Sequence, residues 1–189
     1  FVIFCALSGA VYLINDVFDV EKDRRHPRKR FRPIASGQLS IPIAWLIAGT
    51  LIAGGLSSSF LLEPLFGGIS LGYVVTMMAY TLLLKQLILL DVFAISAGFV
   101  LRAVAGAAVL QVPISPWLYI CTGLGALFIA LAKRRSELAS IGEGASAQRD
   151  TLECYTIVLL DQFIAAAATS VVMAYTLYTF TSPNLPGNH

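Results

Sequence analysis

The chain has 189 residues, 57% of them hydrophobic and 13% charged, with a net charge of +2 and a mean hydropathy of +0.78. It is too apolar for an ordinary soluble domain of this length, and its long unbroken apolar runs lack the alternation of a porin-like barrel. The placement of charge is more informative than its sum, because seven of the 13 basic residues lie between Lys22 and Arg32.

Six apolar segments long enough to cross a bilayer are predicted at about 1–20, 41–61, 65–84, 89–110, 117–133 and 154–180. Backbone polar groups in lipid must be satisfied within their own segment, so these runs are expected to be helices. Phe1 opens inside the first run, with no charged n-region or small-residue cleavage site before it. That run therefore reads as a membrane helix, not a signal peptide, and the chain is expected to be a piece of a longer protein. Turn signals separate the later runs: Glu63-Pro64, Pro113 with Pro116, and Pro183, Pro186 and Gly187. The connections at 21–40, 85–88 and 134–153 carry or border almost every Lys and Arg, while 62–64, 111–116 and 181–189 carry none. The positive-inside rule puts the basic set in the cytoplasm and both ends of the chain outside. A protein starting in the cytoplasm would then need at least one more membrane helix before Phe1. Small residues such as Gly49, Gly54, Gly55, Gly67, Gly68 and Gly106 supply faces for close helix packing. Cys5, Cys121 and Cys154 are scattered and show neither metal-ligand nor disulfide spacing.

The chemistry concentrates where the first run ends, at Asn15-Asp16-Val17-Phe18-Asp19-Val20-Glu21-Lys22-Asp23. Steps of four residues stack Asn15, Asp19 and Asp23 on one helix face, about 6 Å apart along the axis. Two carboxylates and an amide oxygen are hard ligands suited to Mg²⁺, which keeps waters and takes phosphate oxygens as further ligands. A solvated helix end paired with Lys22 and the following arginines is the plain alternative. Against it, Asn15 and Asp16 sit deep in the apolar run, where an unpartnered acid is costly. Asp16 points elsewhere on the wheel and is a weaker ligand, facing either a neighbouring helix or the cavity beside the ladder. The loop Arg28-Lys29-Arg30-Phe31-Arg32-Pro33-Ile34-Ala35-Ser36-Gly37 follows directly, and Pro33 and Gly37 are expected to turn it back over the acids. Arg30 and Arg32 are its best phosphate ligands, although a basic loop can also serve only as a headgroup anchor. His26 is either a general base or a loop cap.

Further along, Tyr80 and Lys85 close the third run, Asp91 opens the fourth, and Arg102 lies about 16 Å deeper on nearly the same face as Asp91. An intramembrane Arg faces a cavity or a partner, so phosphate contact and a structural salt bridge are both open to it. The fifth run ends in Lys133-Arg134-Arg135-Ser136-Glu137, where Glu137 either pairs locally or adds a carboxylate beside phosphate-binding cations. The stretch from Ile141 through Ala147 is expected to cover the substrate. Arg149, Asp150, Glu153 and Tyr155 form a polar cap with no assigned role.

The string NDVFDVEKDRRHPRKRFRPIASG, with YTLLLK, LDVFAISAGFVLRAVAG and KRRSEL after it, resembles the UbiA-type intramembrane prenyltransferases, and within them the decaprenyl-phosphate phosphoribosyltransferase branch. The resemblance implies an all-α polytopic bundle of about nine helices, of which this single domain holds six, with two polar motifs facing one cavity. The superfamily's second motif is a pair of aspartates four apart, whereas here Lys133 and Glu137 hold those places. That departure agrees with the phosphoribosyl branch. The implied reaction is Mg²⁺-dependent transfer of a phosphoribosyl group from phosphoribosyl diphosphate to a polyprenyl phosphate. Asn15, Asp19 and Asp23 would hold the metal, with Asp19, Asp23, Lys85 and Arg102 acting in catalysis. Asn15, Asp16, Lys22, Arg30, Arg32, Tyr80, Lys133, Arg134 and Glu137 would contact substrate. The alternatives are prenyl transfer from a prenyl diphosphate to an aromatic or other small acceptor, membrane transport of a solute, and a lipid-binding scaffold. Membrane lipids are expected partners and nucleic acid is not.

Overall fold

The structure, a computed structural model, describes residues 1–112, 115–141 and 155–181. Every regular element among them is helical. The chain divides into two compact units, residues 1–82 and 83–189.

In the first unit, α1 (Val2–Phe18) packs on α3 (Ile41–Leu62) and α4 (Pro64–Leu82), with the short α2 (Val20–Arg25) and a 3-10 turn at Lys29–Phe31 between α1 and α3. Leu7, Ala10 and Ile14 on α1 and Ala44 and Ala48 on α3 are buried. Their mixture of bulk and small side chains lets the two backbones approach. At Gly55 the approach is so close that an added Cβ would stand 2.7 Å from Cδ2 of Leu7, and at Gly67 it would meet the Phe60 ring. Gly49, Gly54, Gly68 and Gly106 have open space instead, so only part of the expected small-residue pattern serves packing within the units. The Glu63-Pro64 signal acts as expected. Glu63 is extended, as a residue before proline must be, and its carboxylate accepts the Leu65 N–H at 3.1 Å to start α4. Deep in this bundle the Tyr73 hydroxyl shares a 3.1 Å hydrogen bond with Ser8, while its ring packs against Phe4.

In the second unit a 3-10 turn (Leu84–Gln86) leads to α5 (Leu90–Leu110), α6 (Pro116–Ile141) and α7 (Ile157–Thr181). α6 packs on both α5 and α7, around Val92, Ala130, Leu131, Tyr155, Leu160 and Ala167. The Ser96 hydroxyl donates to the Gly123 carbonyl at 2.6 Å, tying α5 to α6 where water is not available to satisfy either group. Large apolar side chains face outward on several helices, among them Leu46, Leu61, Val75, Ile129, Met173 and Phe180, as lipid contact requires.

Five helices, α3 to α7, are long and apolar enough to span a membrane. The sixth expected span, α1, has 17 residues, about 26 Å at 1.5 Å per residue, the short end of the range. It ends earlier than expected because the helix breaks at Asp19. α6 in turn runs on to Ile141, so residues 134–141 are helix and not the loop assigned to them. The expected cover from Ile141 through Ala147 falls, after its first residue, outside the described residues, as do Arg149, Asp150, Glu153, Cys154 and the turns at Pro113, Pro183, Pro186 and Gly187.

Candidate active site

The acidic ladder is present with one modification. Asp19 leaves helical geometry (φ −94°, ψ 3°) and separates α1 from α2. The four-residue spacing nevertheless survives, because Asp19 N–H donates to the Asn15 carbonyl at 2.9 Å and Asp23 N–H to the Asp19 carbonyl at 2.8 Å. Asn15 and Asp19 touch directly: the Asn15 amide nitrogen donates to Asp19 Oδ2 at 3.1 Å. The other half of that amide, Oδ1, is buried and accepts no hydrogen bond. A buried carbonyl oxygen with no donor is costly, and beside a carboxylate it is the oxygen a hard cation would take.

Asp16 and Asp23 have a different partner. Arg32 reaches back from the basic loop and donates through Nη1 to Asp16 Oδ1 at 2.7 Å and to Asp23 Oδ2 at 2.8 Å. The loop therefore folds over the acids, as Pro33 and Gly37 suggested. Gly37 takes a positive φ of 83°, a conformation cheap only for glycine, and the Leu39 N–H closes onto the Pro33 carbonyl at 2.9 Å. Arg24 fixes the loop from the other side through the Ala35 carbonyl at 3.3 Å. Asp16 thus belongs to the ladder's charge cluster, and Arg32 is a bridge between two carboxylates as well as a candidate phosphate ligand. Arg30 is exposed, with its guanidinium 4.8 Å from the Phe31 ring centroid. Lys22 is exposed on α2. His26 caps the loop: its Nδ1 accepts the backbone N–H groups of Arg28 and Lys29 at 3.1 and 3.2 Å.

The fold family implies Mg²⁺, and the ladder fits it in part. Asn15 Oδ1 is the oxygen without a donor, whereas Asp19 already accepts the Asn15 amide and Asp23 gives one oxygen to Arg32. Consistent with this, no group of three or more His, Cys, Asp or Glu is gathered as a cation site among the described residues.

The second unit holds a sealed ionic cluster at the start of α5 and the end of α6. Asp91 is fully buried; it accepts Arg134 Nε at 2.7 Å, the Val92 N–H at 2.8 Å and the Tyr155 hydroxyl at 3.2 Å. Arg134, 3% exposed at its side chain, uses Nη1 to hold Glu137 Oε2 at 2.6 Å. Tyr155 in turn accepts the Leu89 N–H at 2.7 Å. Burial pushes the Tyr155 phenol above its usual range, against the lowering effect of the Leu89 N–H, so it stays a neutral donor to Asp91. Arg134, expected among the substrate ligands, is thereby enclosed between two carboxylates. Glu137 remains partly open and Lys133 is exposed one turn before it. Next to them Arg135 pairs with Asp161 of α7.

Tyr80 and Lys85 are half-buried, each in its own unit. Arg102 is half-buried within α5, its guanidinium 5.4 Å from the Phe99 ring centroid, a cation–π contact that suits a charge in an apolar span. Arg32 bonded to Asp16 and Asp23 is the pairing with the following arginines that the plain alternative expected. The Asp91–Arg134–Tyr155 cluster, spanning 43 and 64 residues, escaped sequence reasoning because no local spacing announces it. The one available signal was Asp91 itself, an acid opening an apolar helix.

Described residues that are helical throughout their regular elements, five membrane-length spans and an Asn-Asp ladder at the end of the first helix define a multi-pass membrane protein with an acidic cluster beside a basic loop. The profile of the UbiA prenyltransferase family matches residues 1–187, and the chain belongs to that family. It is similar to decaprenyl-phosphate phosphoribosyltransferase of Mycolicibacterium smegmatis, 38% identical over 181 residues, which is 96% of this chain and 57% of that protein. It is also similar to the enzymes of that name from Mycobacterium tuberculosis, 35% identical over 188 residues (100% of this chain, 62% of the relative), and Corynebacterium glutamicum, 38% over 185 residues (95% and 55%). The chain thus spans between 55% and 62% of the length of these relatives.

Proposed function

We propose that the protein transfers a 5-phosphoribosyl group from phosphoribosyl diphosphate to a polyprenyl phosphate, releasing diphosphate, with the basic connections on the cytoplasmic side. The observation that carries the reading is the Asn15–Asp19 pair. Its amide nitrogen is spent on Asp19 while its buried Oδ1 is left for a cation. The donor and acceptor are supported by the names of the relatives, three of which are decaprenyl-phosphate phosphoribosyltransferases over nearly the whole of this chain. Lys133 in place of the superfamily's second-motif aspartate supports the same branch.

The reaction forms a bond from a phosphate oxygen of the lipid to C1 of the ribose and breaks the bond from C1 to the diphosphate. The nucleophile is already anionic, so the protein needs no strong base, and positioning and charge neutralisation carry the catalysis. Asn15, Asp19 and Asp23 are the residues that would hold Mg²⁺, which when bound would supply positive charge to the departing diphosphate. The reach of Arg32 to both Asp16 and Asp23 supports a role in which it exchanges a carboxylate for a phosphate oxygen. Arg30 and Lys22 add exposed positive charge to the same unit. In the second unit Lys85, Arg102 and Lys133 supply cations for phosphate groups, Arg102 for the lipid phosphate, and Glu137 contacts the donor.

A second reading, prenyl transfer from a prenyl diphosphate to a small acceptor, is favoured by the description of the family itself. The two separate in one incubation of full-length protein with Mg²⁺, polyprenyl phosphate and labelled phosphoribosyl diphosphate. Label entering the lipid fraction is the expected result. No labelled lipid, together with prenylation of an aromatic acceptor from prenyl diphosphate, would overturn the first reading.

A further inference from the structure

Arg134 is the least accessible cation described in the chain, and its two edges are committed to different carboxylates. Nε binds Asp91 and Nη1 binds Glu137. A guanidinium is planar and rigid, so fixing one edge fixes the direction of the other. Asp91 in turn cannot rotate: it is fully buried and its Oδ1 accepts both the Val92 N–H and the Tyr155 hydroxyl. Tyr155 is anchored by the N–H of Leu89, a non-glycine residue held at φ 65°. Such a backbone conformation costs energy and persists only where its surroundings fix it. The result is a chain of contacts from Leu89 through Tyr155, Asp91 and Arg134 to Glu137, in which the three middle side chains are buried and the Glu137 side chain is 30% exposed.

A purely structural buried pair would be served as well by apolar side chains of similar volume. This one instead ends on a carboxylate that faces outward, one turn from the exposed Lys133. We infer that Asp91 and Tyr155 are positioning residues that act through Arg134 to fix the Glu137 carboxylate against the phosphoribosyl diphosphate. This rests on the assignment of Glu137 to the donor made above. It also gives Arg134 a part different from phosphate binding: it transmits orientation and does not touch the substrate.

The test is a double-mutant cycle on full-length protein with Mg²⁺, polyprenyl phosphate and phosphoribosyl diphosphate. The variants are Tyr155→Phe, Asp91→Asn and Glu137→Gln and their pairwise combinations. Each single variant is expected to raise the KM for phosphoribosyl diphosphate by about threefold to thirtyfold, leaving the KM for the lipid unchanged. Combining either of the first two with Glu137→Gln should add little, because residues acting along one path are not additive. Effects that multiply, or a donor KM that does not move in Tyr155→Phe, overturn the inference. So does a lowered thermal midpoint with unchanged KM, which marks a structural role. Tyr155→Phe removes only a hydroxyl and carries the test if Asp91→Asn does not accumulate. If the unsubstituted protein transfers no label from phosphoribosyl diphosphate, the donor assignment fails by itself. The cycle is then read with prenyl diphosphate, where additivity still rejects the positioning path.

Discussion

Replacing Asp91 with leucine should destabilise the second unit by about 3–5 kcal/mol, the usual cost of removing one partner of a buried ion pair. No discount for solvent applies, since Asp91 is wholly buried and Arg134 nearly so. The substitution removes the Asp91 carboxylate from the buried Arg134 guanidinium, which keeps its bond to Glu137, and deprives the Tyr155 hydroxyl of its acceptor. The combined replacement Asp91→Leu with Arg134→Met removes both charges. It keeps the bond from Leu89 to Tyr155 and leaves no unpaired charge of the Asp91–Arg134 pair in the interior, so it should recover at least about 2 kcal/mol of the loss. Thermal and denaturant unfolding of the full-length protein in detergent, followed by circular dichroism, measures both. A double variant as unstable as Asp91→Leu alone, or a single variant within about 1 kcal/mol of the parent, would refute the view of Asp91 and Arg134 as one sealed pair. The stabilised double variant should still bind phosphoribosyl diphosphate poorly, since Glu137 has lost its guide.

Three other outcomes follow from the first unit. Asp19→Asn and Asp23→Asn should each lower turnover about a hundredfold or more at limiting Mg²⁺, with insertion into the membrane unchanged; full activity in both removes the ladder from the reaction. Arg32→Gln should strengthen binding of Mn²⁺ to the diphosphate-free protein, read by electron paramagnetic resonance, because it frees Asp16 and Asp23 from a competing cation. It should also slow turnover, and unchanged metal affinity would show that the bridge does not compete. Gly55→Ala should cost about 1–3 kcal/mol by driving a methyl into buried Leu7, and Leu7→Ala should partly restore it; a neutral Gly55→Ala would mean that α1 and α3 separate without cost.

Hydrophobic runs and proline signals made the helices legible in the sequence because lipid imposes its rule on every residue of a span. The boundaries were less legible where polar chemistry competes with that rule. α1 stops short at Asp19, and α6 continues eight residues past its apolar stretch because Arg134 is buried by its partners instead of leaving for water. The ladder could be read from spacing alone, since Asn15, Asp19 and Asp23 lie within nine residues on a regular period. Pairing of its acids with the following arginines was open as an alternative, but not which arginine, because Arg32 arrives through a loop whose course depends on the left-handed Gly37.

The two Arg–carboxylate clusters differ in a way that bears on what each can do. Arg32 is 38% exposed while Asp16 is 25% and Asp23 5% exposed, so its bond to Asp16 is the more open to exchange with a phosphate ester, and releasing buried Asp23 requires another cation to take its place. Arg134 is enclosed, and its bond to Asp91 cannot be exchanged without stranding a charge in the interior. One cluster is suited to give way when substrate arrives, the other to stay fixed while substrate is handled. On the proposed reaction, the first cluster would supply a cation able to change partners as diphosphate enters and departs, and the second a fixed support for Glu137.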